Sequence, residues 1–253
     1  MLKTRVMPCL LYYNRGLYKT IKFKNPNYIG DPINAIKIYN EKEVDELILL
    51  DITASRDKRE PDYKMINDIA SECFMPLCYG GGINHLDQVK KIMEIGVEKI
   101  SFNTAAVENP ALITKAAKDF GNQAIIVSID VKKNLWGKYD VVINRGTKSI
   151  GQNPVVFAQK MVSLGAGEIL LTAVDREGTW DGYDIDLIKQ VTDAVKIPVI
   201  VNGGAGNLIH LEDAEKIGHA SGIALGSMVV YQKKGMGVLI NFPSRESLEK
   251  ILD

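Results

Sequence analysis

Three short motifs recur in the second half of the chain, in the same order and at nearly the same distance. LLDITASRDK around Asp51 pairs with LLTAVDREGT around Asp175, YGGGIN at 79–84 with VNGGAGN at 201–207, and SFNTAAV at 101–107 with ALGSMVV at 224–230. Asp51 to Asp175, Gly81 to Gly203 and Thr104 to Ser227 span 124, 122 and 123 residues. A period this long is too large for one unit of a stacked solenoid, so it describes two halves that must close on each other.

Short β-branched runs at 6–11, 47–51, 76–79, 99–103, 124–130, 168–172, 198–202 and 222–225 read as eight strands. Amphipathic segments lie between them at 31–45, 62–73, 86–96, 111–120, 154–165, 184–195 and 211–217, several opening at Asp or Asn and ending near Gly. Repeated β-then-α units with right-handed crossovers predict an α/β fold, a (β/α)8 TIM barrel of two half-barrel repeats. An open doubly wound sheet is the competing arrangement. The 253 residues fit a single barrel domain, 1–253.

Lys plus Arg equal Asp plus Glu at 31 each, which gives no electrostatic case for a nucleic-acid or membrane partner. Cys9, Cys73 and Cys78 form no CxxC pair, and Arg5 interrupts the apolar stretch near the start, so a reduced cytoplasm is expected. His85, His210 and His219 are too scattered for a His-rich metal site and read as solvated or helix-capping. No metal and no cofactor are expected.

In such barrels the site lies at the carboxyl ends of the strands, where glycine turns and helix N-termini hold phosphate. Gly80, Gly81 and Gly82 follow the third strand and Asn103 and Thr104 the fourth; Gly203, Gly204, Gly226 and Ser227 repeat the arrangement. Two related anion sites across one mouth imply a phosphorylated small-molecule ligand with a phosphate at each end. Asp130 ends the fifth strand in IIVSID, placed for general acid or base work. Aligning IIVSID with VMPCLL puts its half-barrel counterpart at Leu11, so a two-carboxylate mechanism lacks one group. Asp51 and Asp175, read at the ends of strands two and six, could supplement Asp130 or orient loops. Lys19, on the long loop after strand one, could close over a bound anion or, like Lys22 and Lys24, be solvated.

The segments CLLYYNRGLYK, GDPINAIKIYNEKEVDELILLDITAS, YGGGI, KISFNTAAVENPALI, IVSIDVK, GAGEILLTAVDREGTWDGYD and NGGAGN resemble the cyclase subunit of imidazole glycerol phosphate synthase, over about 1–229. That resemblance implies a lyase barrel that takes ammonia from a glutaminase and uses it to split and cyclise a bisphosphate. Carried over, it implies Asp130 as acid or base, Lys19 as the mobile-loop lysine, and Gly82, Asn103, Thr104, Gly204, Gly226 and Ser227 as phosphate ligands. It also marks departures: the second catalytic Asp falls on Leu11, a DGR segment is replaced by NRG at 14–16, and an Asp of the sixth loop is Glu177. Arg5, Glu46, Lys99 and Glu168, near strand starts on the N-terminal face, match the residues that gate ammonia from the docked glutaminase. A stabilising ring of salt bridges is the plainer account of those four.

Retention of that set beside loss of the acid, with the tail KKGMGVLINFPSRESLEKILD, resembles a paralogous branch associated with amidation of sugars for surface polysaccharides (lipopolysaccharide). There the partners would be a glutaminase and a sugar amidotransferase. A true histidine-biosynthesis cyclase with a displaced acid, and a non-catalytic activator of the glutaminase, are the other two readings.

Overall fold

The computed structural model describes residues 4–252; the outermost limits expected for the domain, residues 1 and 253, lie outside them. Twelve strands, nine α-helices and two 3-10 turns occur among the described residues. Eight of the strands form the barrel: β1 (Arg5–Tyr13), β4 (Leu47–Asp51), β5 (Leu77–Gly80), β6 (Lys99–Phe102), β7 (Ile125–Lys133), β10 (Glu168–Ala173), β11 (Val199–Asn202) and β12 (Gly222–Leu225). Each pairs in parallel with the next, and β12 pairs with β1, so the ring is closed. Closure excludes the open doubly wound sheet.

Helices pack outside: α1 (Pro32–Glu41), α2 (Tyr63–Glu72), α3 (Leu86–Glu94), α4 (Thr104–Glu108), α5 (Ala111–Phe120), α6 (Pro154–Ser163), α7 (Ile185–Thr192), α8 (Leu208–Lys216) and α9 (Arg245–Leu252). Side-chain caps fix several of their starts. Asp31, Asp62, Asn153, Asp184 and Asn207 each accept a hydrogen bond from a backbone N–H of the first turn, satisfying a donor that has no partner within the helix.

Strand side chains alternate between two apolar layers. Met7, Cys9 and Leu11 of β1 join Ile48, Cys78, Ile126, Leu170, Ile200 and Ala224 in a cluster inside the barrel. Their neighbours Val6, Leu10, Leu47, Leu49, Ile125, Val127, Ile169 and Leu171 belong to the cluster shared with the helices. Both faces of each strand are buried, which is why the strands read as continuous apolar runs.

Strand register supports the half-barrel repeat and corrects one part of it. Pro8 pairs with Leu225 and Val127 with Phe102, so β1 maps onto β7 and Leu11 onto Asp130. Leu47 pairs with Leu77 and Ile169 with Val199, so the equivalent of Asp51 is Ala173, not Asp175. Asp175 lies two residues beyond β10, where its carboxylate accepts from the Lys133 N–H at 2.8 Å.

Four further strands stand on the mouth. β2 (Gly16–Ile21) and β3 (Lys24–Gly30) extend β1 as a hairpin, and β8 (Tyr139–Ile143) and β9 (Lys148–Ser149) extend β7. The segment read as a loop after strand one is therefore a three-stranded antiparallel flap, and Lys19 sits within a strand.

Candidate functional site at the barrel mouth

The carboxyl ends of the barrel strands and the β2–β3 flap enclose a cavity lined by Leu11, Lys19, Asn103, Asp130, Glu177 and the glycines at 80–82, 203–204 and 226. Asp130, near the end of β7, is buried, with Asn103 Nδ2 donating to its Oδ2 at 3.1 Å and to the Ser128 carbonyl at 3.0 Å. Burial pushes the Asp130 carboxyl from 3.8 to about 7; hydrogen bonds from Asn103 and Thr172 pull it down and the Glu177 carboxylate adds to the rise. A carboxyl poised there can both take and return a proton near neutrality.

Across the mouth, the equivalent position carries the Leu11 side chain, part of the inner apolar cluster. Asp51 does not replace the missing group. Its Oδ1 accepts from the Thr53 and Ala54 N–H groups at 3.0 Å each, and Arg59 Nη2 donates to both oxygens at 3.1 and 2.9 Å, so this carboxylate organises the second βα loop.

Lys19 is buried, and its ammonium donates to the Cys9 carbonyl. Burial lowers its pKa, while Cys9 and Glu177 act in the opposite sense. A Cβ added at Gly226 would lie 3.3 Å from Lys19 Nζ, so the cation stands over the eighth-strand loop. Burial also pushes the neighbouring Cys9 thiol up to about 11, which keeps it protonated.

The flap is held by Glu177. Thr20 Oγ1 donates to its Oε1 at 2.9 Å, the Phe23 N–H to its Oε2 at 3.0 Å, and the Lys22 N–H to its backbone carbonyl at 2.9 Å. Arg145 Nη2 adds a bond to the Phe23 carbonyl at 3.2 Å. Sequence reasoning noted Glu177 only as a departure; no local pattern links it to Thr20 or Phe23, because the contact exists only once the flap folds over the mouth.

The repeated glycine loops are alike in backbone. Asn103 (φ −117°, ψ −83°) precedes α4, which begins at Thr104; Gly226 (φ −97°, ψ −101°) precedes the 3-10 turn Ser227–Val229. Gly82 and Gly204 have φ of +73° and +120°. A Cβ at Gly204 would lie 2.2 Å from the Gly182 carbonyl oxygen, so close backbone approach requires glycine there. The Gly82 N–H donates to Ser55 Oγ at 3.1 Å, joining the second and third loops.

At the opposite end, Arg5 Nη1 contacts Glu46 Oε2 at 2.6 Å and Arg5 Nη2 contacts Glu168 Oε1 at 3.0 Å. Lys99 Nζ reaches the same two carboxylates at 2.8 and 3.2 Å. The four expected gate residues thus form one alternating ring at the strand starts, with the inner apolar cluster between it and the mouth. Glu46 Oε1 is buried without a hydrogen-bond partner. Such a ring is weak evidence for stability, since desolvation offsets attraction.

Of the histidines, His210 caps the seventh βα loop, its Nδ1 accepting from the Gly206 N–H at 3.1 Å. No group of three or more His, Cys, Asp or Glu side chains that could hold a metal occurs among the described residues. Among those residues no helix is long and apolar enough to cross a membrane.

A closed parallel barrel, polar at the carboxyl ends of its strands and ringed by ion pairs at the other end, defines the chain as a (β/α)8 barrel protein. Residues 5–235 match the family described as histidine biosynthesis protein, and the chain belongs to that family. It is 48% identical to a Pseudomonas aeruginosa protein provisionally named imidazole glycerol phosphate synthase subunit hisF2, over 98% of this chain and 99% of the relative. A Leptospira interrogans protein provisionally named as the HisF subunit of that synthase is 46% identical over 99% of each chain. A Vibrio vulnificus relative, provisionally named subunit hisF3, is 48% identical over 100% of this chain and 98% of its own length.

Proposed function

We propose that the chain is the cyclase-like subunit of a glutamine amidotransferase complex, taking ammonia from a glutaminase docked on its N-terminal face. Its destination is a sugar amidotransferase that makes acetamidino sugars for surface polysaccharide. One contrast carries this reading: Leu11 stands at the position equivalent to Asp130, while the ring of Arg5, Glu46, Lys99 and Glu168 is complete. An intact entry beside half a catalytic pair fits a barrel that conducts ammonia and no longer cyclises efficiently, because each general acid or base contributes about 10²- to 10⁴-fold. The names of the relatives support a synthase subunit. Gly82, Asn103, Thr104, Gly204, Gly226 and Ser227 would hold the phosphorylated ligand, Lys19 would cover it, and Asp130 would serve as the surviving acid or base.

The test supplies the purified protein with ammonium salt and the bisphosphate substrate of the cyclase, and follows carboxamide ribotide release. Little turnover is expected. Robust turnover abolished by Asp130→Asn would overturn this reading in favour of a true cyclase.

A further inference from the structure

The proposed function accounts for the inside of the mouth but not for what surrounds it. Three segments project from the carboxyl ends of β1, β7 and β12: the β2–β3 hairpin (21–28), the β7–β8 turn (132–138) and the stretch after the eighth strand (231–239). Together they carry Lys22, Lys24, Lys132, Lys133, Lys138, Lys233 and Lys234 and not one Asp or Glu, in a chain whose charges as a whole balance at 31 and 31.

The same segments hold exposed apolar side chains: Leu135 at 99%, Trp136 at 73%, Ile21 and Tyr28 at 56%, Leu239 at 53% and Met236 at 49%. Two of them are tied together beside the cavity: Asn27 Nδ2 donates to the Tyr231 hydroxyl at 3.1 Å, joining the first segment to the third. Arg145, on the β8–β9 turn at the opposite end of β8 from the second segment, donates to the Phe23 carbonyl at 3.2 Å. Two of the lysines are partly neutralised, Lys133 by Asp184 at 3.3 Å and Lys234 by Asp181 at 3.0 Å.

Lysines alone would steer an anionic substrate toward the mouth. Steering gives no reason to leave a Trp–Leu pair and a Met–Val–Leu stretch in water, and exposed apolar groups among like charges mark a surface covered by a macromolecule. We infer that the rim of the mouth is a docking surface for a protein whose matching face is acidic around apolar pockets. A flat bilayer would occlude the cavity, whereas a protein seated on a ring can seal it and accept what leaves it. Resting on the function proposed above, the partner is the sugar amidotransferase, bound at the end opposite the glutaminase.

The experiment measures binding of the wild-type chain, a Lys24→Glu/Lys138→Glu/Lys233→Glu variant and Trp136→Ser to the amidotransferase and, separately, to the glutaminase. Anionic vesicles of phosphatidylglycerol and phosphatidylcholine in equal parts are the third probe. Both variants should weaken amidotransferase binding about tenfold or more, the charge variant mainly through a slower on-rate. Glutaminase affinity should stay unchanged, which reports that the far end of each variant is folded. Amidotransferase binding indifferent to both variants, or absent while the glutaminase binds, would overturn the docking surface and leave the conduit reading intact. Vesicle binding abolished by the charge reversal would assign the rim to a membrane instead. A wild-type chain that binds neither enzyme would sink the proposed function and this partner with it.

Discussion

Thr20 and Glu177, 157 residues apart in the chain, meet in a buried 2.9 Å hydrogen bond that fastens the β2–β3 flap across the mouth. The flap strand carrying Thr20 also carries Lys19, so the bond sets how deeply the ammonium enters the cavity. Glu177 is thereby a positioning residue, acting on the site through the strand it holds.

Replacing Glu177 with Ala should loosen the flap. The buried Thr20 hydroxyl and the part-buried Phe23 amide both lose their acceptor, and a buried donor left unsatisfied costs about 1–3 kcal/mol, so hydrogen exchange at Phe23 should speed up about tenfold or more. Trypsin should then cut after Lys22 and Lys24 in the variant faster than in the wild type. Glu177→Gln keeps an acceptor oxygen and should retain most of the protection; equal exchange in wild type and the Ala variant would show that the flap is held by other contacts.

Burial of Asp130 has a thermodynamic consequence. Its carboxyl titrates at about 7 in the fold against 3.8 as the ordinary value, so between those pH values the folded state holds a proton that the unfolded chain releases. The penalty is absent below about pH 4, grows as pH rises toward 7 and is constant above. At about 1.36 kcal/mol per pH unit, Asp130→Asn should stabilise the protein by roughly 2–4 kcal/mol at pH 8 and by little at pH 4. Denaturant midpoints measured at the two pH values check this, and an Asn variant no more stable at pH 8 would contradict it.

Much of the barrel was legible because burial on both faces writes strands as unbroken apolar runs; β4, β12 and α5 have the limits read from the sequence. The flap was not. Its turns place Asn14 and Arg15, then Lys22 and Phe23, at positive φ, a conformation that Asn-Gly announces and Lys-Phe does not. The NRG at 14–16, first noticed as a lost motif, is the tight turn joining β1 to β2. The pairing of Asp51 with Asp175 failed because similar letters were matched two residues out of step, whereas strand register ties Asp51 to Ala173. Glu177 became visible only through contacts made from the far end of the chain.

Two glycines of the duplicated loops should respond differently to Ala. At Gly204 the added Cβ meets the Gly182 carbonyl oxygen at 2.2 Å and φ is +120°, so Gly204→Ala should destabilise the fold by about 1–3 kcal/mol. Gly226 has φ −97° and its Cβ would meet only Lys19 Nζ, at 3.3 Å. Gly226→Ala should leave the melting temperature within a degree or two of wild type while weakening binding of inorganic phosphate, read by calorimetry. A large loss of stability at Gly226 would show that its role is structural.

Leu11→Asp tests whether the mouth lacks only a carboxylate. The new side chain enters the inner apolar cluster with Met7, Cys9, Ile48 and Cys78, at a cost of about 1–3 kcal/mol in stability. It also stands at the register position equivalent to Asp130, so two carboxyl groups would again flank the cavity, each raising the other's pKa. With ammonium and the bisphosphate, turnover should rise by about 10²-fold if one acid–base group is all that is missing, with a bell-shaped pH dependence from the two carboxyls. A folded variant without gain would place the divergence in the flap instead, where Glu177 and the turn at Asn14 and Arg15 fix a geometry set for another ligand.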